Sequence, residues 1–213
     1  MATAKKKRSS PKLPSQFKDV DSFAMQGDSD SLAEVRIVGA RSALLPALTI
    51  EQSILEKCEL SSCDAQAMRW FDVVADHCDC ANANFRHTVF DRIEVHDSKM
   101  TGVSLLEAKI KDALFSSCQC EYALFRMARV SFSEFTGCNL READFYGANL
   151  SGAVFRDCDL RSVDFTASTL QGTDIRGCQI QGLKVNAEAV KGLIIEPAQA
   201  VYLMHLLQVK VLL

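Results

Sequence analysis

The chain has 213 residues, of which 48% are hydrophobic, and its formal net charge is −3. This length and composition are typical of one folded domain and exclude a chain that is disordered throughout. The sequence contains no run of the roughly 18 to 20 apolar residues that a membrane-spanning helix needs, so a helical membrane protein is excluded as well.

The N-terminal residues 1–33 mix Lys, Ser, Asp and Gly with few apolar positions, which is typical of a disordered or loosely attached tail. The tail contains a basic run, Lys5-Lys6-Lys7-Arg8, and polar residues follow it where a secretory signal would have an apolar region. This run could contact nucleic acid or an anionic surface, or it could be solvated. Residues 34–47 are more apolar, and we expect them to cap the N-terminal end of the fold that follows.

A repeat of five residues extends from residue 48 to residue 187 without an insertion, which makes 28 pentads. Every fifth residue from 85 to 185 is apolar, and the residue two positions earlier is mostly small. Apolar residues recur every 3.6 positions in helices and every two in strands, so neither element explains a period of five. The pattern predicts a chain that turns a corner in each pentad and directs two of its five side chains inward.

Asp or Asn often lies between the two inward columns, as in Ala143-Asp144-Phe145-Tyr146-Gly147 and Ala148-Asn149-Leu150-Ser151-Gly152. These units resemble the A-(D/N)-(L/F)-x-x unit of the pentapeptide-repeat family. The resemblance implies an all-β fold, a right-handed quadrilateral parallel β-helix of about seven coils over residues 48–187. At a spacing of about 4.8 Å per coil, this solenoid would be roughly 34 Å long. The early pentads depart from the unit, and we expect Trp70 to fill the space left by Ala65 and Ala75.

Six of the nine cysteines, at residues 58, 78, 118, 138, 158 and 178, are separated by multiples of 20 and would stack inside one face. Such a column could take up metal or redox equivalents, or its thiols could act only as small apolar side chains. Metal ligands must converge on an ion, whereas these thiols would point in parallel from successive coils, which favours packing. Free thiols are also typical of a reducing compartment, so we expect a cytoplasmic protein.

Residues 188–213 predict a C-terminal cap with a short α-helix that starts near Pro197. Four apolar residues of this segment have helical spacing, namely Ala200, Leu203, Met204 and Leu207. Some members of the family dimerise through a C-terminal element, so a homodimer is one interpretation and capping of the chain's own coil is the other. The candidate dimer interface consists of Tyr202, Leu206, Val209 and Val211.

The sequence has no nucleophile elbow, no glycine-rich phosphate loop and no metalloprotease motif. A filled β-helix also leaves no internal pocket in which catalytic groups could converge. We therefore expect no enzyme activity, no catalytic or metal-binding residue and no cofactor. Function would depend on binding at the outward positions of the pentads.

One outward column places Leu106, Arg126 and Tyr146 in three successive coils, with Leu124 and Met127 beside them. Aromatic, Met and Arg residues are enriched at the centres of protein-binding surfaces, so this candidate patch favours an interaction scaffold with a protein partner of unknown identity. The alternative is that these are scattered surface side chains, which are normal in soluble proteins.

The resemblance implies a second function, because some family members bind type II topoisomerases such as DNA gyrase by imitating duplex DNA and so give fluoroquinolone resistance. Residues 48–187 contain 14 Lys and Arg and 20 Asp and Glu, a net charge of −6. A 34 Å length of duplex would carry about 20 charges. The charge therefore favours the scaffold and leaves the DNA mimic as the alternative, and neither function predicts direct binding to nucleic acid.

Overall fold

The computed structural model describes residues 8–23, 31–45, 47–206 and 208–209. Within this part of the chain, eleven strands form one parallel sheet and a single α-helix follows them. The elements, in chain order, are β1 (Lys18–Val20), β2 (Ser31–Ala33), β3 (Val35–Val38), β4 (Thr49–Glu56), β5 (Arg69–Asp76), β6 (Val89–His96), β7 (Lys109–Lys111), β8 (Leu114–Ser116), β9 (Arg129–Ser131), β10 (Glu134–Thr136), β11 (Val154–Arg156) and α1 (Pro197–Leu206).

The fold is a four-sided parallel β-solenoid in which residues 20 apart lie above one another, as in the register of Phe115, Phe135 and Phe155. We number the faces by their central residues: the first face is centred on 50, 70 and 90, the second on 55, 75 and 95, the third on 60, 80 and 100, and the fourth on 65, 85 and 105. Strands line the first and second faces, whereas isolated bridges such as Leu124↔Asp144 join the third and fourth faces from coil to coil.

Both predicted inward columns are confirmed. Every central residue from Ile50 to Ile180 is buried, and so is every residue two positions earlier from Leu48 to Leu183, while Val185 is half-buried. The rings of Phe115, Phe135 and Phe155 stack in parallel at centroid distances of 4.8 Å. The interior of the later coils is therefore filled by aromatic and aliphatic side chains.

The residue two positions after each central one forms a corner and has a positive φ at every corner from Gln52 to Gly182. We number the corners in chain order: the first follows the first face (residues 52, 72 and 92), the second follows the second face, the third precedes the fourth face, and the fourth follows it. Left-handed backbone costs a non-glycine residue about 1–2 kcal/mol. Main-chain hydrogen bonds between coils stabilise the corner conformation. For example, Gly152 N–H donates to Gln171 O at 2.9 Å.

Trp70 is buried in the second coil and packs edge-on against Phe85 and Phe90, with centroid distances of 5.8 and 5.5 Å. A cavity of about 20 Å³ remains beside it, and Ala75 is among its lining residues. The indole Nε1 has no hydrogen-bond partner among the described residues. The cavity shows that Trp70 fills the space beside Ala75 only in part. The unpaired indole N–H is a separate cost, because a buried donor without a partner lowers stability.

The N-terminal side of the solenoid differs from the expectation of a loose tail followed by a cap. Residues 31–45 form a further, shorter coil, because β2 and β3 pair with β4 at an offset of 18 residues, as in Arg36↔Ile54. Strand β1 in turn pairs with β3, and Phe23 is buried beside them. Residues 1–7 and 24–30 of the expected tail lie outside the described residues.

The C-terminal end is covered by α1. A bridge between Asp174 and Ile194 first extends the ladder beyond residue 187. The buried Gln199 of the helix then donates from Nε2 to the carbonyl oxygens of Ile175 and Cys178, at 2.8 and 2.9 Å. The helix thus pairs carbonyl groups at the open end of its own solenoid. No helix in the described ranges has the length and apolar character that crossing a membrane requires.

We predict that Phe135→Ala lowers the free energy of unfolding by about 3–5 kcal/mol, because the stacked neighbours Phe115 and Phe155 belong to fixed coils and cannot collapse into the void. Equilibrium urea unfolding measures this loss. The control Thr136→Ala changes a half-buried outward side chain and should cost less than about 0.5 kcal/mol. A loss below about 1 kcal/mol for Phe135→Ala would contradict the packed interior.

Candidate protein-interaction surface

The structure brings the five residues of the candidate patch together on the fourth face. The Arg126 guanidinium carbon lies 4.8 Å from the centroid of the Tyr146 ring, and its NH1 donates to Asp144 Oδ2 at 3.2 Å. Glu107 N–H donates to Arg126 O at 3.0 Å, which places Leu106 in the column directly before Arg126. Leu124 lies half-buried at the other outward position of the same face. The predicted stacking of this column is therefore confirmed, whereas its binding function stays a prediction.

Met127 occupies the fourth corner and is 53% exposed, with φ at 56°. Its thioether lies over the next corner of the same column, where Gly147 has no side chain. A Cβ atom at Gly147 would come within 2.6 Å of Met127 Sδ. Gly147 therefore serves two purposes: it adopts a positive φ of 67° without strain, and it leaves room for the exposed methionine.

Tyr122 is not one of the five predicted residues, but it extends the patch to the third corner. Tyr122 is 54% exposed, and its hydroxyl donates to Glu142 Oε1 at 3.4 Å. Phe132, at the first corner, is 37% exposed. Large apolar side chains thus occupy three successive corners at residues 122, 127 and 132. Their spacing of five in the corner column, where Gly and polar residues prevail, is the signal that could have added Tyr122 and Phe132 to the predicted Met127.

A shallow depression of about 490 Å³ adjoins Met127 at the fourth corner. It is lined by Glu107, Lys109, Met127, Ala128, Arg129, Gly147 and Asn149. Its volume lies within the range of small-molecule sites, but its rim carries both signs of charge and it is open to solvent. An apolar side chain of a partner could enter it while polar groups around it pair with the rim.

The four residues of the candidate dimer interface do not share one environment in the structure. Tyr202 and Leu206 are half-buried against the solenoid of their own chain, and the Tyr202 hydroxyl accepts from Gly182 N–H. Val209 is 48% exposed, and Val211 lies outside the described residues. Val201 and Met204 are further exposed apolar side chains among the described residues of this end. The homodimer stays a prediction, and Val201, Met204 and Val209 are exposed apolar side chains that its interface could use.

All nine cysteines are free and buried. Column thiols donate to carbonyl groups of the wall, as Cys138 Sγ does to Phe115 O at 3.3 Å. Burial raises the pKa of Cys80 to about 12 and also raises the pKa of Cys120. Buried thiols of raised pKa are poor nucleophiles and poor metal ligands. For the column itself, the bonds from Cys138 and Cys158 to wall carbonyl groups one coil earlier support packing as its role.

Several acidic side chains of the solenoid are paired with basic ones. Asp72 accepts two hydrogen bonds from Arg92, at 2.7 and 2.8 Å, and Asp159 is bound by Arg161. Burial opposes ionisation of Asp72, but the bonds from Arg92 and from Lys12 N–H outweigh it, so the pKa of Asp72 lies below its ordinary value. The Arg161 hydrogen bonds lower the pKa of Asp159 in the same direction.

We predict that acid destabilises the protein in part through these two carboxylates. Because their folded pKa values are lower than the unfolded value of about 3.9, the stability they contribute is present above that value and is lost as pH falls through the folded values. Urea unfolding at pH values from 7 downward measures it. Asp159→Asn should flatten the acid limb, whereas the exposed corner substitution Asp157→Asn should not. Equal acid limbs for the two variants would contradict the prediction.

Comparison with known proteins agrees with this architecture. The family model "Pentapeptide repeat region" matches residues 128–196, and the model "Pentapeptide repeats (8 copies)" matches residues 78–116. No curated protein matches the sequence.

Several solved structures are similar to the chain. One is a trypsin-treated variant of QnrB1, a plasmid-mediated fluoroquinolone resistance protein, with 19% identity, a TM-score of 0.44 and coverage of 92% of this chain and 99% of QnrB1. Another is HetL, a pentapeptide repeat protein involved in heterocyst differentiation regulation from the cyanobacterium Nostoc sp. strain PCC 7120, with 17% identity, a TM-score of 0.36 and coverage of 78% and 89%. A thylakoid lumen protein of Arabidopsis thaliana has 22% identity, a TM-score of 0.30 and coverage of 60% and 72%. With its repeat columns and family-model matches, the chain belongs to the pentapeptide-repeat family.

Proposed function

We propose that the protein is a non-enzymatic interaction scaffold that binds a protein partner through an apolar patch centred on Met127. The patch consists of the five predicted residues on the fourth face together with Tyr122 and Phe132. The observation that carries the proposal is the presence of large apolar side chains at three successive exposed corners.

The corners make these side chains unfavourable for the isolated protein. Tyr122, Met127 and Phe132 have φ values of 59°, 56° and 51°, a backbone region that bulky residues rarely adopt. Glycine would relieve this strain, as it does at Gly137 and Gly147 in the same coils. Exposed apolar surface also favours aggregation over solubility. Burial of the three side chains against a partner would offset both costs.

The rest of the patch has the properties of a binding centre. Arg126 is already held between Tyr146 and Asp144, so little side-chain entropy would be lost when a partner covers it. Arg and Tyr are among the residues that contribute most to binding free energy in protein interfaces. The depression next to Met127 offers a place for one anchoring side chain of the partner.

We predict that a photo-crosslinking phenylalanine analogue placed at Tyr122 forms a covalent adduct with one protein in cells that naturally contain this chain. Met127→Asp in the same chain should reduce the adduct at least about tenfold, because a carboxylate would be buried without a partner. Mass spectrometry quantifies the adduct.

Two matched controls use the same columns two coils further along. The analogue at Ser162 lies at the third corner with φ 58°, and Ala167→Asp changes an exposed fourth-corner residue with φ 59°. Adduct formation at Ser162 with the same protein, or an equal loss caused by Ala167→Asp, would contradict binding at the patch.

The second candidate function is a DNA-mimicking modulator of DNA gyrase, and the observation that favours it is the net charge of −6 over residues 48–187. The ion pairs argue against it, because basic side chains lie among the acidic ones. Lys99 pairs with Asp79 and Lys111 with Asp91, each one coil apart. A mimic of duplex DNA needs unpaired negative charge in a continuous row.

A gyrase supercoiling assay distinguishes the two functions. We expect supercoiling to be unchanged at micromolar concentrations of the protein, since the charge match is weak. Met127→Asp serves as the control because it adds a negative charge to the surface. This charge should increase the inhibition of gyrase by a DNA mimic, whereas it should abolish partner binding by a scaffold. Inhibition of supercoiling that increases with Met127→Asp would support the mimic and overturn the scaffold.

A further inference from the structure

The N-terminal segment 8–12 lies along the first corner of the solenoid. Lys12 N–H donates to Asp72 Oδ1 at 2.9 Å, and Ser9 N–H donates to Asp112 Oδ1 at 3.0 Å. Arg8 NH1 forms an ion pair with Glu94 Oε1 at 2.9 Å. These three contacts thus join pairs of residues that are 86, 103 and 60 positions apart in the chain, two through main-chain N–H groups and one through a side chain.

The spacing of these contacts matches an extended chain that runs parallel to the solenoid axis. Asp72 and Asp112 occupy the same corner two coils apart, which corresponds to about 9.6 Å at the usual strand spacing. Ser9 and Lys12 are three residues apart, which corresponds to about 10 Å in an extended chain. Alternate corners of this column, separated by Arg92, can therefore bind N–H groups that are three residues apart in such a segment.

The chemistry of the contacts defines what would be recognised. The aspartates bind backbone N–H groups, so they select an extended conformation and accept any residue other than proline at those two positions. Glu94 binds the guanidinium of Arg8 at 2.9 Å. Basic side chains are thus favoured in the segment, whereas acidic ones would be repelled.

The carboxylates are held in place by the solenoid itself. Asp72 receives two hydrogen bonds from Arg92, and its side chain is 9% exposed. Asp112 has a corner φ of 53° and is buried beneath the segment. Without the segment, Asp112 would lose the Ser9 N–H that it accepts. Lys111 Nζ also lies 3.6 Å from Asp112 Oδ2, which is longer than a hydrogen bond, so Asp112 keeps an acceptor position for the segment. A preorganised carboxylate of this kind is a property of a binding site.

We propose that Asp72, Glu94 and Asp112 form a track that binds an extended basic peptide of a partner protein, and that residues 8–12 occupy this track in cis. The track lies at the first corner and does not depend on the patch around Met127. Because the segment is tethered to the solenoid, its effective concentration at the track is high and the track stays occupied. The track becomes free when a competing peptide displaces the segment or when the segment detaches.

The test uses the full-length chain and a fluorescein-labelled peptide with the sequence of residues 5–14. Arg8→Glu places a carboxylate against Glu94 and should release the segment. Fluorescence anisotropy should show that the Arg8→Glu chain binds the labelled peptide about tenfold more tightly than the wild-type chain. The affinity should fall as salt rises from about 50 to 300 mM, because the contacts are charged.

Variants of the track identify the site. In the Arg8→Glu chain, Asp112→Asn and, separately, Glu94→Gln should each weaken peptide binding about tenfold. Asp97→Asn is the matched control, since Asp97 is an aspartate at the neighbouring second corner, with φ 46°, and should leave binding unchanged. Thermal melts followed by circular dichroism show that each variant is folded. Because the two track variants are tested separately, identification of the site does not depend on one substitution alone.

Equal affinity of the wild-type and Arg8→Glu chains for the peptide overturns occupation of the track in cis. Binding that survives both Asp112→Asn and Glu94→Gln is adsorption to the acidic surface in general and overturns the track. These outcomes are separate from those of the crosslinking experiment, because no residue of the patch is changed and the probe is a peptide of known sequence.

Discussion

The superposition of residues 20 apart is the constraint on which the rest of the structure depends. Main-chain N–H groups of one coil donate to carbonyl groups of the next coil at the equivalent position of the repeat. For example, Phe125 N–H donates to Asp144 O at 2.7 Å. A coil that gained or lost a residue would move its inward side chains to the surface. The side chains that the bonds hold inside, such as Phe125 stacked on Phe145 at 4.5 Å, fill the interior of the later coils. Function is therefore confined to the outside of the solenoid.

The same constraint determines how the surfaces are built. Neighbours on a face come from residues 20 apart, as Arg126 and Tyr146 do, and neighbours around a coil come from residues five apart, as Tyr122 and Met127 do. The corners add a condition of their own, because a positive φ makes large side chains unfavourable there. Met127 depends on both relations, since the thioether has room only because glycine occupies position 147 in the next coil.

The sequence predicts those features that follow from the period and fails where the period ends. The inward columns and the contact between Arg126 and Tyr146 follow directly from spacings of five and 20. The coil of residues 31–45 has an offset of 18 and therefore no pentad pattern to reveal it. The contact of Ser9 with Asp112 uses a backbone N–H, which every residue except proline has, so no residue pattern marks it. Similarly, the helical stripe that includes Leu203 did not show that Tyr202 lies against its own solenoid.

The patch and the track meet at the first corner, because Phe132 lies one coil beyond Asp112 in the same column. On the first face between the two surfaces, Lys109 lines the depression beside Met127 and Lys111 lies 3.6 Å from Asp112. Strand β7, three residues long, therefore spans the distance between them, which is about 10 Å. A partner that inserted an apolar side chain at the patch and extended a basic segment along the track would gain avidity from the short connection. Displacement of residues 8–12 would then be coupled to binding at Met127, since the same partner would supply both contacts.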